Sequence, residues 1–159
     1  EMKDPTIKFT SIDTNLSDTL LNKTENQDQD KEKNEKLIEF FKTALHKDTL
    51  KFQVESMKSA SVSALILESE TMKRLKEMSA MMKQSFPEME DYTLVINASN
   101  PVLKSIQNLT DKNQIDLAQN MCKQVYDLAI MSLKPLTGEA MQAFISRSNQ
   151  LLFALGENQ

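Results

Sequence analysis

The first third of the sequence passes from alternating residues to a polar run and then to a helical pattern. Residues 7–12, IKFTSI, alternate apolar and polar side chains and predict a short strand. Residues 22–36 contain no apolar residue, which indicates a linker or a solvated helix start. From Glu35 to His46 the apolar residues recur at helical spacing, so we predict an amphipathic helix that closes at His46. Its apolar face comprises Leu37, Ile38, Phe41 and Leu45.

The middle of the sequence contains short β-type segments on both sides of one amphipathic segment. Residues 51–57 and 62–68 are rich in apolar and β-branched side chains and are joined by the polar KSAS, so we predict two paired strands. Residues 70–84, ETMKRLKEMSAMMKQ, predict a helix that holds four of the ten methionines. Residues 91–97, DYTLVIN, predict a third strand.

Capping signals divide the rest of the chain into three helices. Asn100 is suited to cap a helix that begins at Pro101, because proline lacks the N–H that a first turn leaves unpaired. This helix is predicted to end near Leu109, and Asp111 is predicted to cap the next one. The apolar stripe of that second helix comprises Ile115, Ala118, Met121, Cys122, Val125, Leu128, Ala129 and Ser132.

The last helix is also bounded by recognisable signals. Lys134-Pro135 stops the preceding helix, and Thr137 is a suitable cap with Glu139 favourably placed in the first turn. Gly156 is predicted to end the helix. Its apolar face comprises Met141, Phe144, Ile145, Ser148, Leu151, Leu152 and Leu155.

This order of elements predicts an α+β fold with a small three-stranded sheet and packed helices. Pairing of the last two helices buries only part of each apolar stripe, so something else must cover the remainder. Two partners are open on the pattern alone. One is the sheet of the same chain, and the other is the same helix pair of a second copy, giving a four-helix bundle with two-fold symmetry.

Composition narrows the classes of function. The 159 residues, of which 40% are apolar, suit one domain. The net charge of −4, with both signs interspersed, lacks the concentrated positive surface that nucleic acid requires. No stretch approaches the roughly 20 apolar residues of a membrane span, and no secretory signal pattern is present. We therefore expect a cytoplasmic protein with no nucleic-acid and no membrane partner.

The sequence offers little for chemistry. One cysteine, Cys122, and one histidine, His46, cannot make a Cys/His metal cluster, and neither glycine lies in a phosphate-binding motif. A serine nucleophile needs a base, and His46 has no matched acid nearby in the sequence. Cys122 lies on an apolar stripe, where a buried, unreactive thiol is the simpler interpretation. We therefore predict no catalytic residue, no cofactor and no metal in this chain.

Two long stretches of the C-terminal half resemble the end of HtpG, the bacterial branch of the heat shock protein 90 chaperones. They read LVINASNPVLKSI and LAQNMCKQVYDLAIMSLKPLTGEAMQAFISRSNQLL. Asn100 stands where that family usually has a histidine, and Lys134 where a glycine is common. Upstream segments keep the family's order with weaker similarity. The residues that match family motifs are Asn97, Pro101, Val102, Leu103, Tyr126, Asp127, Leu128, Ala129, Phe144, Arg147, Asn149, Leu151 and Leu152.

The resemblance implies a piece of an ATP-dependent chaperone whose nucleotide site lies in an N-terminal domain outside this chain. Residues 1–34 would be the end of the middle domain and a polar linker, and residues 35–159 the C-terminal dimerisation domain. The last two long helices would form the homodimer. Its implied interface comprises Met121, Cys122, Val125, Leu128, Ala129, Met141, Phe144, Ile145, Ser148, Leu151 and Leu152.

The methionine-rich segment allows two interpretations. Its periodicity alone favours core filling, whereas the family's corresponding helix is proposed to contact unfolded or partly folded client proteins. Methionine is flexible and polarisable, which suits a surface that must fit many partners. The implied client-binding residues are Met72, Leu75, Met78, Met81 and Met82. The alternative for the whole chain is a monomeric peptide-binding domain whose apolar helices only complete its own core.

Overall fold

The structure is a computed structural model, and it describes residues 28–47, 49–82 and 91–157. These residues form an α+β fold of five helices and a three-stranded mixed sheet, as the sequence predicts. The predicted strand at 7–12 lies outside the described residues. The elements in chain order are α1 (Asp28–Leu45), β1 (Lys51–Glu55), β2 (Ala64–Glu68), α2 (Glu70–Met82), β3 (Tyr92–Asn97), α3 (Pro101–Asp111), α4 (Ile115–Met131) and α5 (Gly138–Glu157).

Helix α1 begins at Asp28 inside the polar run, seven residues before the predicted start at Glu35, and ends at Leu45, directly before the predicted closing residue His46. Residues 28–36 are helical, so the helix continues across the predicted domain boundary between residues 34 and 35. His46 adopts a left-handed φ of 49°, and its N–H donates to the Lys42 carbonyl at 3.0 Å, which closes the last turn. Leu37 and Phe41 are buried on the inner face, and His46 is exposed.

The sheet has the order β1-β3-β2, which corrects the prediction that β1 and β2 pair with each other. Strand β3 lies in the centre, parallel to β1 and antiparallel to β2. Leu94 is opposite both Phe52 and Ile66, and Ile96 is opposite Val54 and Ala64. These side chains share one face of the sheet, because alternate residues of a strand point the same way. The central position of β3 explains why it is the most buried of the three strands.

One apolar cluster joins this face of the sheet to helices α1, α3 and α4. Phe41, Leu94, Ile106 and Cys122 lie at its centre with exposed fractions of 0% or 1%. Three further buried apolar residues, Met57, Met72 and Val95, lie outside this cluster. Strand alternation places Val95 on the opposite face of the sheet from Leu94. The chain therefore buries apolar side chains on both faces of its sheet.

The junction between α3 and α4 corrects one capping prediction. Asn100 caps α3 as predicted, since its side-chain oxygen accepts from the Val102 N–H at 2.9 Å. Asp111, however, is the last residue of α3, and Gln114 occupies the N-cap of α4 without a side-chain capping bond. Asn113 turns the chain with a φ of 59°, a left-handed conformation that asparagine tolerates.

Helices α4 and α5 are antiparallel neighbours joined by a short turn. Gly138 opens α5 directly after Thr137 with a φ of 56°, which favours glycine, and Glu139 lies in the first turn as predicted. The helix continues to Glu157, so Gly156 lies within its last turn and does not end it. Gln124 contacts Ser148, and Asp127 contacts Arg147. Residue numbers increase along α4 while those of their partners decrease along α5, as expected for antiparallel helices.

Candidate functional site

The helix pair α4/α5 presents the predicted dimer-interface residues at three different depths. Cys122, Val125 and Ala129 are buried in the chain's own core. Met121, Met141, Phe144, Ser148 and Leu151 are half-buried. Leu128, Ile145 and Leu152 are exposed. The predicted interface of α4 and α5 is therefore not a single surface. Part of it belongs to the intramolecular core, and part forms an exposed edge.

We call the exposed residues Leu128, Ile145, Leu152 and Leu155 of this edge the apolar strip. These side chains are 50%, 52%, 66% and 67% exposed, respectively. Phe153, which is 68% exposed, lies on another side of α5. Ile145 and Leu152 are seven residues apart and so lie on the same side of α5. Apolar side chains exposed singly are ordinary, whereas a group of them on one side of a helix pair is a candidate interaction surface.

A polar network fixes α5 against α4 beside the apolar strip. The Arg147 guanidinium is buried, pairs closely with Asp127, and donates from Nε to the Gln124 Oε1 at 3.1 Å. Gln124 Nε2 donates to the Ser148 hydroxyl at 2.9 Å, and that hydroxyl donates to the Phe144 carbonyl at 2.8 Å. Each buried polar group thus has a partner, so the two helices are held in one register.

The Asp127 carboxyl of this network has a displaced pKa. Partial burial raises the pKa of Asp127, and the neighbouring Arg147 charge offsets this only in part. The ionised carboxylate therefore depends on Arg147 for compensation inside the helix pair. The predicted motif residue Arg147 has a structural role here that the sequence pattern does not reveal.

An apolar groove lies beside the strip, between α3, α4 and α5. Its volume is about 430 Å³. Val102 and Leu109 line it from α3, Leu117 and Met121 from α4, and Leu151 from α5. Leu128 and Leu155 belong to both the groove and the apolar strip. The sequence does not predict this groove, because most of its lining comes from three separate helices. On each helix, the apolar positions look like ordinary core positions.

The methionine-rich helix α2 is attached to the sheet at its N-terminal end. Ser69 caps it, since the Ser69 hydroxyl accepts from the Met72 N–H at 3.3 Å and the Ser69 carbonyl accepts from the Lys73 N–H at 3.1 Å. Lys76 forms a close ion pair with Glu68, the last residue of β2, whose side chain is only 11% exposed. Met72 is buried. The first two turns of α2 are therefore anchored to the domain.

The second half of α2 carries exposed methionines. Met78 and Met82 are about half exposed, Met81 is 87% exposed, and Leu75 is half-buried. Of the five residues assigned to client binding, only Met72 is buried, and it serves as an anchor. The exposed positions Met78, Met81 and Met82 form one end of the helix, which we call the methionine surface.

Two asparagines at the end of β3 hold the loop between β1 and β2. Asn97 is fully buried, and its side-chain oxygen accepts from the backbone N–H groups of Met57 and Ser99 at 3.0 and 3.1 Å. Its amide donates to the Ser59 and Val62 carbonyls at 2.8 and 2.6 Å. The Asn100 amide donates to the carbonyl of residue 60 at 2.6 Å. Apart from the bond to Ser99, these bonds join residues 35 to 40 positions apart in the chain, so local sequence patterns could not predict them.

The Cys122 thiol and the possible metal ligands were the candidates for chemistry in the sequence. Burial raises the pKa of the Cys122 thiol to about 12, so it stays protonated at neutral pH. Among residues 28–47, 49–82 and 91–157, no group of three or more His, Cys, Asp or Glu side chains is placed to hold a metal ion. No helix in this part of the chain is long and apolar enough to cross a membrane.

Comparison of the sequence with models of known protein families gives no match, and comparison with curated proteins gives none either.

Proposed function

We propose that this chain is the C-terminal homodimerisation domain of an HtpG-like chaperone of the heat shock protein 90 family. In this proposal α4 and α5 form a four-helix bundle with the same helices of a second copy. The methionine surface contacts unfolded or partly folded client proteins. The chain itself carries no catalysis, and ATP binding belongs to a domain outside it.

The observation that supports dimerisation most is the apolar strip. Its four side chains lie along the two helices whose sequences resemble the family's dimerisation helices, and they lack an apolar cover among the described residues. The polar network of Arg147 and Asp127 holds both helices rigidly, so little ordering of the backbone is needed when a second copy binds.

The free energy of burying the apolar strip can be compared with the cost of association. Covering these four side chains, which are 50% to 67% exposed, on each of two copies gives a gross gain of about 7 to 14 kcal/mol. Association costs about 4 to 15 kcal/mol in lost translational and rotational freedom. These ranges overlap, so the strip can support a dimer but leaves little surplus. A tight dimer therefore needs further apolar surface at the interface.

A charge on the strip tests the proposal. Ile145→Glu should convert the dimer to monomer, because the carboxylate would be buried against apolar side chains without a partner. The matched control is Gln150→Glu, which adds the same charge to an exposed position on another side of α5. Sedimentation equilibrium measures both. A dimer that tolerates Ile145→Glu as well as Gln150→Glu would contradict the proposed interface.

The alternative is a monomeric peptide-binding domain, and it has its own supporting observation. Cys122, Val125 and Ala129 already complete an intramolecular core, so the helix pair does not need a second copy for those residues. A monomer predicts a thermal midpoint independent of protein concentration, whereas folding linked to dimerisation predicts a midpoint that rises with concentration.

A further inference from the structure

The groove and the exposed side chain of Leu152 lie on different sides of α5, so one chain does not place Leu152 in its own groove. The groove is open between α3, α4 and α5, with Leu151 and Leu155 on its α5 wall. Leu152 is 66% exposed and follows Leu151 directly, so it projects about 100° further round the helix. Leu152 therefore points away from the groove of its own chain.

We infer that the groove of each copy receives Leu152 of the other copy, and that helix α3 is therefore part of the dimer interface. This inference rests on the proposed dimer and names where its additional buried surface lies. A two-fold dimer uses the same patch on both subunits, so one pairing of side chain and groove is made twice. It is the arrangement in which an apolar side chain of one helix enters a hole between helices of its partner.

The chemistry of both surfaces suits a second copy. The groove lining is mostly apolar, and Lys112 is its one charged residue. Its uncharged polar residues are Ser63, Ser105, Asn108 and Gln124. On the inserted side, residues 148–156 of α5 carry no charged side chain, so Leu152 and its neighbours bring no charge that would have to lose its water. Leu128 and Leu155 connect the groove to the strip, so both would be covered in one continuous contact.

Photo-crosslinking locates Leu152 directly. The photoreactive amino acid p-benzoylphenylalanine replaces Leu152 in one preparation and Gln150, on a different side of α5, in the control. Each is mixed with isotope-labelled wild-type chain, so that crosslinks between copies are separated by mass. We expect the probe at 152 to label residues of α3 in the other copy and the probe at 150 not to label them. A probe at 152 that labels only α4 and α5 of the other copy overturns the inference.

A second pair of variants separates this inference from the proposed dimer. Ser105 is an exposed residue of α3 at the groove, and Gln107 is exposed on another side of the same helix. Ser105→Arg should raise the dimer dissociation constant about tenfold or more, and Gln107→Arg should leave it within about twofold. Circular dichroism checks that both variants fold.

The outcomes are distinct. A wild-type chain that stays monomeric refutes the proposed function and this inference with it. A wild-type dimer that Ser105→Arg weakens no more than Gln107→Arg refutes the groove contact and leaves the four-helix bundle standing.

Discussion

At the scale of single residues, Asn97 ties the loop between β1 and β2 to the end of β3. It is uncharged and fully buried, and all the hydrogen bonds of its side chain go to backbone groups within residues 57–62 or to Ser99. The sequence marks Asn97 only as the end of a predicted strand and as a motif match. Its role depends on the loop between β1 and β2 folding back onto β3, which is a non-local event.

Replacement of Asn97 by aspartate tests this role. The carboxylate keeps the two acceptor contacts but loses both donors, and it faces the Ser59 and Val62 carbonyls. We expect Asn97→Asp to lower the free energy of unfolding by about 2 to 3 kcal/mol, measured by urea titration. Asn149→Asp, at an exposed position of α5, is the matched control and should change it by less than about 0.5 kcal/mol. Equal effects of the two substitutions would contradict the proposal that the Asn97 side chain holds the loop between β1 and β2.

The reactivity of Cys122 tests the packing of the core. The thiol is fully buried and its pKa is raised to about 12, so almost no thiolate is present at pH 8. We expect a thiol-specific chromogenic reagent to modify Cys122 only in denaturant. Because the folded pKa is above the unfolded value near 9.0, this group also stabilises the fold less as pH rises past 9. Rapid modification of the folded chain at pH 8 would show that the core around α4 opens.

At the scale of elements, local patterns predicted the helices better than the sheet. Asn100 and Pro101 determine where α3 begins, and His46 determines where α1 ends. These signals act over only a few residues, so they can be recognised in the sequence. The sheet order β1-β3-β2 could not be predicted in the same way, because β1 and β2 are close in sequence but each pairs with the more distant β3. The cap of α4 was missed because a left-handed turn at Asn113 replaces a side-chain cap at Asp111.

The network between α4 and α5 predicts a coupling between Arg147 and Asp127. Arg147→Met leaves the Asp127 carboxylate without its cation, so we expect a loss of about 3 kcal/mol in the free energy of unfolding. Adding Asp127→Asn to that variant removes the stranded charge and should recover part of the loss. A double-mutant cycle by urea titration should therefore give a coupling energy of about 1 to 3 kcal/mol. Simple additivity of the two substitutions would show that the pair does not hold the helices.

The arrangement of α2 predicts separate roles for its two halves. Met78→Ser together with Met82→Ser removes exposed apolar side chains without touching the Met72 anchor. We expect this variant to protect aggregating insulin B chains less, measured by light scattering, while its dimer and thermal midpoint are unchanged. Val62→Ser, an exposed apolar position outside α2, is the control and should retain full protection. Equal protection by both variants would contradict a client role for the methionine surface.

At the scale of the whole molecule, one apolar stripe serves two surfaces. Cys122, Val125 and Ala129 face the chain's own core, while Leu128 on the same helix is half exposed and borders the groove. Periodicity in the sequence identifies all four as apolar face and cannot say which are covered within the chain. Only the positions of α1, α3 and the sheet decide this. The open remainder is what the proposed dimer would cover.

The mass of the chain in solution tests the central claim most directly. Sedimentation equilibrium of the wild-type chain in the micromolar range should give twice the 18.1 kDa mass of one chain. A concentration series should also show dissociation on dilution, as an association equilibrium requires. A mass of 18.1 kDa at every concentration in that range would contradict the account.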